Sequence, residues 1–251
     1  MRGFDCIAAY YEVLSDSESR LRREGPFLKE RLDQAPGMRV VDLACGTGLH
    51  ARFFADLGAQ VSAIDLSPEM IRFAREHRGH PAIRYAVGDM RALRGGPWDL
   101  AVCLGNSLSL LGFRKAVDTA LEAVSSSLAP GGLFVVQVLN YAAAAAQRPR
   151  HRVERKTRGD AEIIAVKNLV PHGDRTLLSV TFHTIRNGEH ESVTDTAVLL
   201  HLDQEAILES AALAALEVYS VYGGFDGSAY QPGLSSDLVV ILRKPCEMSR
   251  A

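Results

Sequence analysis

Asp42, Gly46 and Gly48 fall within one seven-residue stretch, and Asp65, Asp89 and Asn106 follow it, each just beyond an apolar run. Gly46 and Gly48 lack a Cβ, so the turn they form can take positive φ and lie against a ligand whose polar atoms meet the amides of a helix N-terminus. With Ala51 the stretch also spells the G-x-G-x-x-A pattern of dinucleotide sites, which makes a nicotinamide cofactor one reading. Asp42 opposes it. A carboxylate four residues before Gly46 repels a pyrophosphate and attracts a cationic ligand, so ammonium and sulfonium charges suit this mouth better.

The other residues fit the same ligand. Asp65 stands nineteen residues after Gly46, where an acid meets a ribose and accepts from both of its hydroxyls. Leu66 and Met70 are spaced to pack on an adenine face or to fill the core. Asp89, in Gly88-Asp89-Met90, can accept from the adenine exocyclic amine or cap its own turn. Asn106, in Gly105-Asn106-Ser107, ends the strand that neighbours the glycine turn, and the chemistry is expected there.

The elements that must position these residues can be read from periodicity. Val40 and Val41 begin a strand, and Leu49, Phe53 and Leu57 recur at helical spacing after the turn. Further strands are expected over 61–64, 83–87, 98–104 and 133–139. The helix starting at Ser67-Pro68-Glu69 has an N-cap, an N1 proline and an early acid, and another is expected over about 114–128. Alternation of this kind makes a doubly wound, mostly parallel α/β sheet. Two helices precede it, the first over about 4–14 and the second running up to Pro36-Gly37. Tyr10 and Tyr11 on the first either cap a pocket or sit half-buried on an amphipathic face. The run 142–146 reads as a short helix or linker without chemistry. Alternating segments near 151–157, 161–170, 176–186 and 191–202, with turns at Arg158-Gly159-Asp160, Pro171-His172-Gly173-Asp174 and Asn187-Gly188, form an antiparallel insertion. It is either a wall over the strand ends or a surface for self-association. A helix over 204–216 and an antiparallel strand pair, 218–222 with 238–242, close the chain at the sheet edge. The organisation is therefore an N-terminal helical cap over 1–37, a core over 38–145 and 203–245, and the insertion over 146–202.

Composition excludes several classes. Hydrophobic residues make up 47% of 251, the formal net charge is −2, and the mean hydropathy is near zero. Basic residues are dispersed, so neither nucleic acid nor a membrane surface is an expected partner. No window has the length of a membrane span. Cys6, Cys45, Cys103 and Cys246 show no metal-ligand spacing and read as free buried thiols in a reduced, cytoplasmic setting. No metal is expected, and a homo-oligomer stays open.

The stretch Asp42 to Gly48 resembles motif I of the class I S-adenosylmethionine-dependent methyltransferases. Val102-Cys103-Leu104-Gly105-Asn106-Ser107 resembles the corresponding strand end of the glycine/sarcosine N-methyltransferases, as do Asn140-Tyr141, the insertion and the closing strand pair. The resemblance implies a seven-stranded Rossmann-like fold and a cofactor, S-adenosylmethionine, held as follows. Arg20 pairs with its methionyl carboxylate, and the backbone at Ala44, Gly46 and Gly48 meets the methionyl end. Asp65 holds the ribose, Leu66 and Met70 lie near the adenine, and Asp89 and Met90 lie at its edge. Leu104 and Asn106 line the transfer side, and Tyr11 matches the aromatic residue of the N-terminal segment. One position departs: where glycine-methylating members place an arginine before Asn-Tyr, this chain has Leu139, which cannot grip a carboxylate. Glycine is therefore expected to be a poor substrate. The activity so implied is methyl transfer to a small molecule, directed to nitrogen. The alternatives are transfer to the oxygen or carbon of a phenol or quinone-like acceptor, and a cofactor-binding protein of this fold without catalysis. His50 is the nearest base by sequence, and no catalytic base is assigned.

Overall fold

A computed structural model describes residues 10–14 and 16–246. The first expected helix lies mostly outside this range, and only its end is described, as α1, Tyr11–Leu14. Cys6 lies outside it as well. α2, Ser17–Gln34, follows, capped by Asp16.

Seven strands form one sheet: β1 (Arg39–Leu43), β2 (Gln60–Asp65), β3 (Ile83–Val87), β4 (Trp98–Cys103), β5 (Leu128–Leu139), β10 (Glu217–Tyr222) and β11 (Asp237–Arg243). Their order is β10-β11-β5-β4-β1-β2-β3. β1 to β5 pair in parallel, whereas β11 runs antiparallel to both β5 and β10. Helices α3 (Leu49–Asp56), α4 (Pro68–Arg78), α5 (Arg114–Ser127) and α6 (Gln204–Leu213) complete the layers. One apolar cluster joins α5 and α6 to the sheet, and another joins α2, α3 and α4 to it. Valines and leucines run almost unbroken along the central strands because both faces are covered. The order reverses at β1 and β4, so their carboxyl ends flank the crevice where such sheets bind ligands.

Two boundaries differ from expectation. β5 starts at Leu128 and takes in Pro130-Gly131-Gly132, because the pairing slips between Trp98–Leu128 and Leu100–Leu133. A bulge tolerates the missing proline N–H and the positive φ of Gly131. α6 stops at Leu213 rather than 216, and Ala215 beyond it adopts a left-handed φ of 53° that a helix cannot continue.

The insertion is a separate antiparallel sheet of β6 (Arg150–Arg158), β7 (Ala161–His172), β8 (Arg175–Arg186) and β9 (Glu189–Leu200) in chain order. Its inner face, including Ile163, Ala165, Val180 and Phe182, packs with Tyr141 and meets Tyr10, Tyr11 and Leu139. Tyr10 stacks on Phe182 with ring centres 5.5 Å apart. Cys45 and Cys103 are buried free thiols as expected, whereas Cys246 is exposed. Among the described residues no helix is long and apolar enough to cross a membrane, and no cluster of three or more metal-ligating side chains occurs.

Candidate functional site

The turn after β1 departs from ordinary backbone at three residues: Ala44 (φ 54°), Gly46 (53°) and Gly48 (81°). A left-handed alanine is strained and needs surroundings that hold it. Here the Cys45 N–H donates to the Ile64 carbonyl at 3.0 Å, and the Gly48 N–H donates to the Cys45 carbonyl at 2.9 Å. Asp65 fixes the tip, accepting from the Gly46 N–H at 2.8 Å and from the Ser67 N–H at 2.9 Å.

The two glycines serve different ends. A Cβ on Gly46 would meet nothing within 4 Å, so this residue opens onto the crevice, whereas one on Gly48 would lie 2.5 Å from the Tyr85 hydroxyl. Gly48 is therefore a packing glycine as well as a turn residue. Gly48→Ala is expected to destabilise the fold by about 2–4 kcal/mol through overpacking plus backbone strain, and Gly46→Ala by only about 1 kcal/mol. Thermal unfolding of the two variants checks this, and a larger loss for Gly46→Ala would contradict it.

Arg20 alone on a helix beside Arg22 and Arg23 would be a solvated charge, but α2 turns it inward. Its Nε donates to both Glu24 oxygens at 3.0 and 3.1 Å. Its Nη2 lies near Gly105 at the end of β4, 3.2 Å from where a Cβ would stand. Glu24 also bonds His50 Nε2 at 2.8 Å. Burial would raise the Glu24 pKa, but the His50 hydrogen bond and the Arg20 charge overcome it and hold the carboxyl at about 2. His50 is thus a buried partner of Glu24, its pKa lowered chiefly by burial.

Asp42 is almost fully buried at the base of the turn. Its Oδ2 has no hydrogen-bond partner among the described residues. Burial pushes its pKa up to about 7, with Arg20 opposing and Asp65 adding to the rise.

Beyond Asp65, Leu66 is 51% exposed and Met70 only 3%. Of the two, Leu66 presents an apolar face to the outside and Met70 is turned to the interior. Met90 is half-buried against the core. Asp89 caps the short 3₁₀ turn after β3 by accepting from the Arg91 N–H at 2.9 Å, and Arg91 Nε binds its carboxylate at 3.0 Å. Asp89 is thus already engaged by Arg91.

At the end of β4, Leu104 is buried and Asn106 sits in the left-handed region at φ 67°. The Asn106 Oδ1 accepts from the Leu139 N–H at 2.9 Å, the Tyr141 hydroxyl at 3.1 Å and Ser109 Oγ at 3.2 Å, and Nδ2 donates to the Tyr141 hydroxyl at 2.8 Å. These bonds occupy the amide oxygen and one of the two Nδ2 hydrogens. Asn106 thereby ties β4 to β5 and Tyr141. Tyr11 is half-buried, and Arg20 and Asp65 act on its hydroxyl, whose pKa burial raises. Arg20, Asp42, Asp65 and Tyr11 therefore converge around the Gly46 turn.

Sequence reasoning missed Glu12. Its carboxylate accepts from Thr47 Oγ1 at 2.7 Å, Ser17 Oγ at 2.7 Å and Arg78 Nη1 and Nη2 at 3.0 and 2.8 Å, while Arg78 Nη1 also donates to the Thr47 carbonyl at 2.8 Å. α1 is thereby fastened to the glycine turn and to the end of α4. No motif marks Glu12, whose partners are distant in sequence.

Residues 40–132 match the family model described as a methyltransferase domain. A ubiquinone biosynthesis O-methyltransferase of Xanthomonas axonopodis pv. citri (strain 306) is 35% identical over 47% of this chain and 50% of its own. The chain spans about half the length of the curated relatives it matches. Among solved structures, an S-adenosylmethionine-dependent methyltransferase from Clostridium acetobutylicum ATCC 824 superposes with a TM-score of 0.79, at 17% identity over 95% of this chain and 98% of that one. A sugar N-methyltransferase from Streptoalloteichus sp. ATCC 53650 gives 0.74, at 19% identity over 95% and 91%. Residues 40–132 thus match a methyltransferase-domain model, and the chain shares its fold along nearly its whole length with these solved methyltransferases.

Proposed function

We propose that this protein transfers a methyl group from S-adenosylmethionine to a small-molecule acceptor, and that the accepting atom is nitrogen. The observation that carries the reading is the convergence of Asp65, Asp42 and the Arg20 guanidinium on the Gly46 turn at the strand-order reversal. When bound, S-adenosylmethionine supplies an electrophilic methyl on a cationic sulfur. Asp65 accepts from its ribose hydroxyls, Arg20 pairs with its carboxylate through nitrogens not used by Glu24, and Asp42 faces its positive charge. Leu66 covers the adenine, with Met90 and Asp89 at its edge.

Methyl displacement needs alignment and exclusion of water rather than a metal or a covalent nucleophile. α1 and the inner face of the insertion wall the acceptor side with Tyr10 and Tyr11, and Asn106 keeps Tyr141 and the start of the wall in register. The choice of nitrogen is supported by the resemblance of residues 102–107 to the glycine/sarcosine branch and by the sugar N-methyltransferase among the full-length structural neighbours. Transfer to oxygen is the second reading, supported by the name of the half-length relatives.

The test supplies purified protein with S-adenosylmethionine and a panel of amines and phenols, and detects S-adenosylhomocysteine. Turnover of an amine, with glycine inactive, is expected. Product from phenols alone would move the assignment to oxygen, and cofactor binding without product from any acceptor would favour a non-catalytic role. In the same assay, Asn106→Ala is expected to lower kcat by about 10-fold or more while leaving the S-adenosylhomocysteine Kd within about twofold, as befits a residue that acts through others.

A further inference from the structure

The inner face of the insertion carries one arrangement that packing does not explain. The β6–β7 register sets Arg152 directly opposite Lys167, and the β7–β8 register sets Lys167 opposite Val180, a buried member of the cluster that meets Tyr10, Tyr11 and Tyr141. Like charges directly opposite across strands destabilise a sheet. Arg152 is balanced by Glu154. Lys167 is only partly exposed, and among the described residues its ammonium makes no hydrogen bond or ion pair. Burial lowers its pKa, and Arg152, Arg150 and Arg20 lower it further, with no carboxylate acting in return. Arg150 also acts on the Tyr141 hydroxyl. Arg150, Arg152 and Lys167 thus share the inner face of the insertion, whose apolar cluster includes Tyr141 and meets Tyr10 and Tyr11.

A part-buried ammonium that shares its sheet face with Arg150 and Arg152 and holds no carboxylate of its own is half of an ion pair. We propose that Lys167, with Arg150 and Arg152, binds an anionic group of the methyl acceptor, so that the acceptor carries a carboxylate or phosphate away from the atom that is methylated. The proposal rests on the methyltransferase reading of the same site. It also gives Leu139 a counterpart: the charge absent from the strand end is provided by the insertion.

The experiment titrates the whole protein, with and without saturating S-adenosylhomocysteine, with phenyl phosphate, benzoate and neutral benzamide. In the wild type, one of the anions is expected to bind at least ~10-fold more tightly than benzamide, as a charge-assisted pair requires. Preference for phenyl phosphate identifies a phosphate, and preference for benzoate a carboxylate. Lys167→Met should lose the preference and Lys167→Arg keep it, both binding S-adenosylhomocysteine within about twofold of wild type. Lys167→Met should also raise Tm in the absence of anion by relieving the repulsion. Anions that bind no better than benzamide, or a preference that survives in Lys167→Met, overturn the proposal. Loss of S-adenosylhomocysteine binding alone in the wild type, with the anion preference intact, would count against the methyltransferase reading instead.

Discussion

Asp65→Ala is expected to weaken S-adenosylmethionine binding by at least ~100-fold, because two charge-assisted hydrogen bonds at roughly 1.5–3 kcal/mol each are lost to the ribose. The same carboxylate accepts from the Gly46 and Ser67 amides, so the variant also releases the tip of the glycine turn and the N-terminus of α4. A fall in Tm of several degrees should accompany the loss of affinity, at about 2–4 °C per kcal/mol for a chain of this size. Asparagine is no conservative rescue, since its Nδ2 would face an amide N–H that needs an acceptor. Calorimetric titration and thermal unfolding read the two effects separately. An unchanged Kd would remove Asp65 from the cofactor site and with it the reading of the crevice.

The second large effect is pH-dependent and arises at Asp42. Its folded-state pKa of about 7 lies above the ordinary 3.8, so its contribution to stability is complete below that ordinary value and is lost as pH rises through about 7. Without ligand the protein should therefore lose stability from about pH 4 up to about pH 7 and change little above that on account of Asp42. A cationic ligand favours the ionised carboxylate, so S-adenosylmethionine should bind about 10-fold more tightly at about pH 8 than at about pH 6 and release a proton from Asp42 as it binds. S-adenosylhomocysteine, which lacks the sulfonium charge, should show a shallower dependence. In Asp42→Asn the affinity should be weak and flat with pH, while ligand-free stability in the alkaline range improves. A wild-type Kd constant over this interval would separate Asp42 from the cofactor. At the acid end the sign reverses: Glu24, held at about 2 against an ordinary 4.5, contributes stability above 4.5 that is lost as pH falls through about 2.

Local signals made much of this fold legible. The strand, turn and helix around Gly46 are specified by neighbours in sequence, and the ends of β2 and β3 fell where the apolar runs stop at Asp65 and Gly88. The insertion could be read because strict alternation separates cleanly at Gly159, Gly173 and Gly188. Features created by distant residues could not be read. The start of β5 at Leu128 depends on a bulge against β4, and nothing near Pro130 announces it. The hydrogen bonds of Asn106 depend on Leu139 and Tyr141, and the burial of Arg20 depends on how α2 lies across Gly105. The opposition of Arg152 and Lys167 is a matter of strand register, which alternation alone does not fix.

The position of β11 has a consequence for how the protein is made. This strand lies between β5 and β10, and Leu238 to Leu242 are fully buried. Until residues 237–243 have left the ribosome, the apolar flank of β5 faces outward as an unpaired edge, while the whole insertion, whose contacts are local, can already assemble. The nascent chain therefore passes through a stage in which its periphery is folded and its centre is open to association with other chains, so the speed at which β11 docks governs how much of it escapes aggregation.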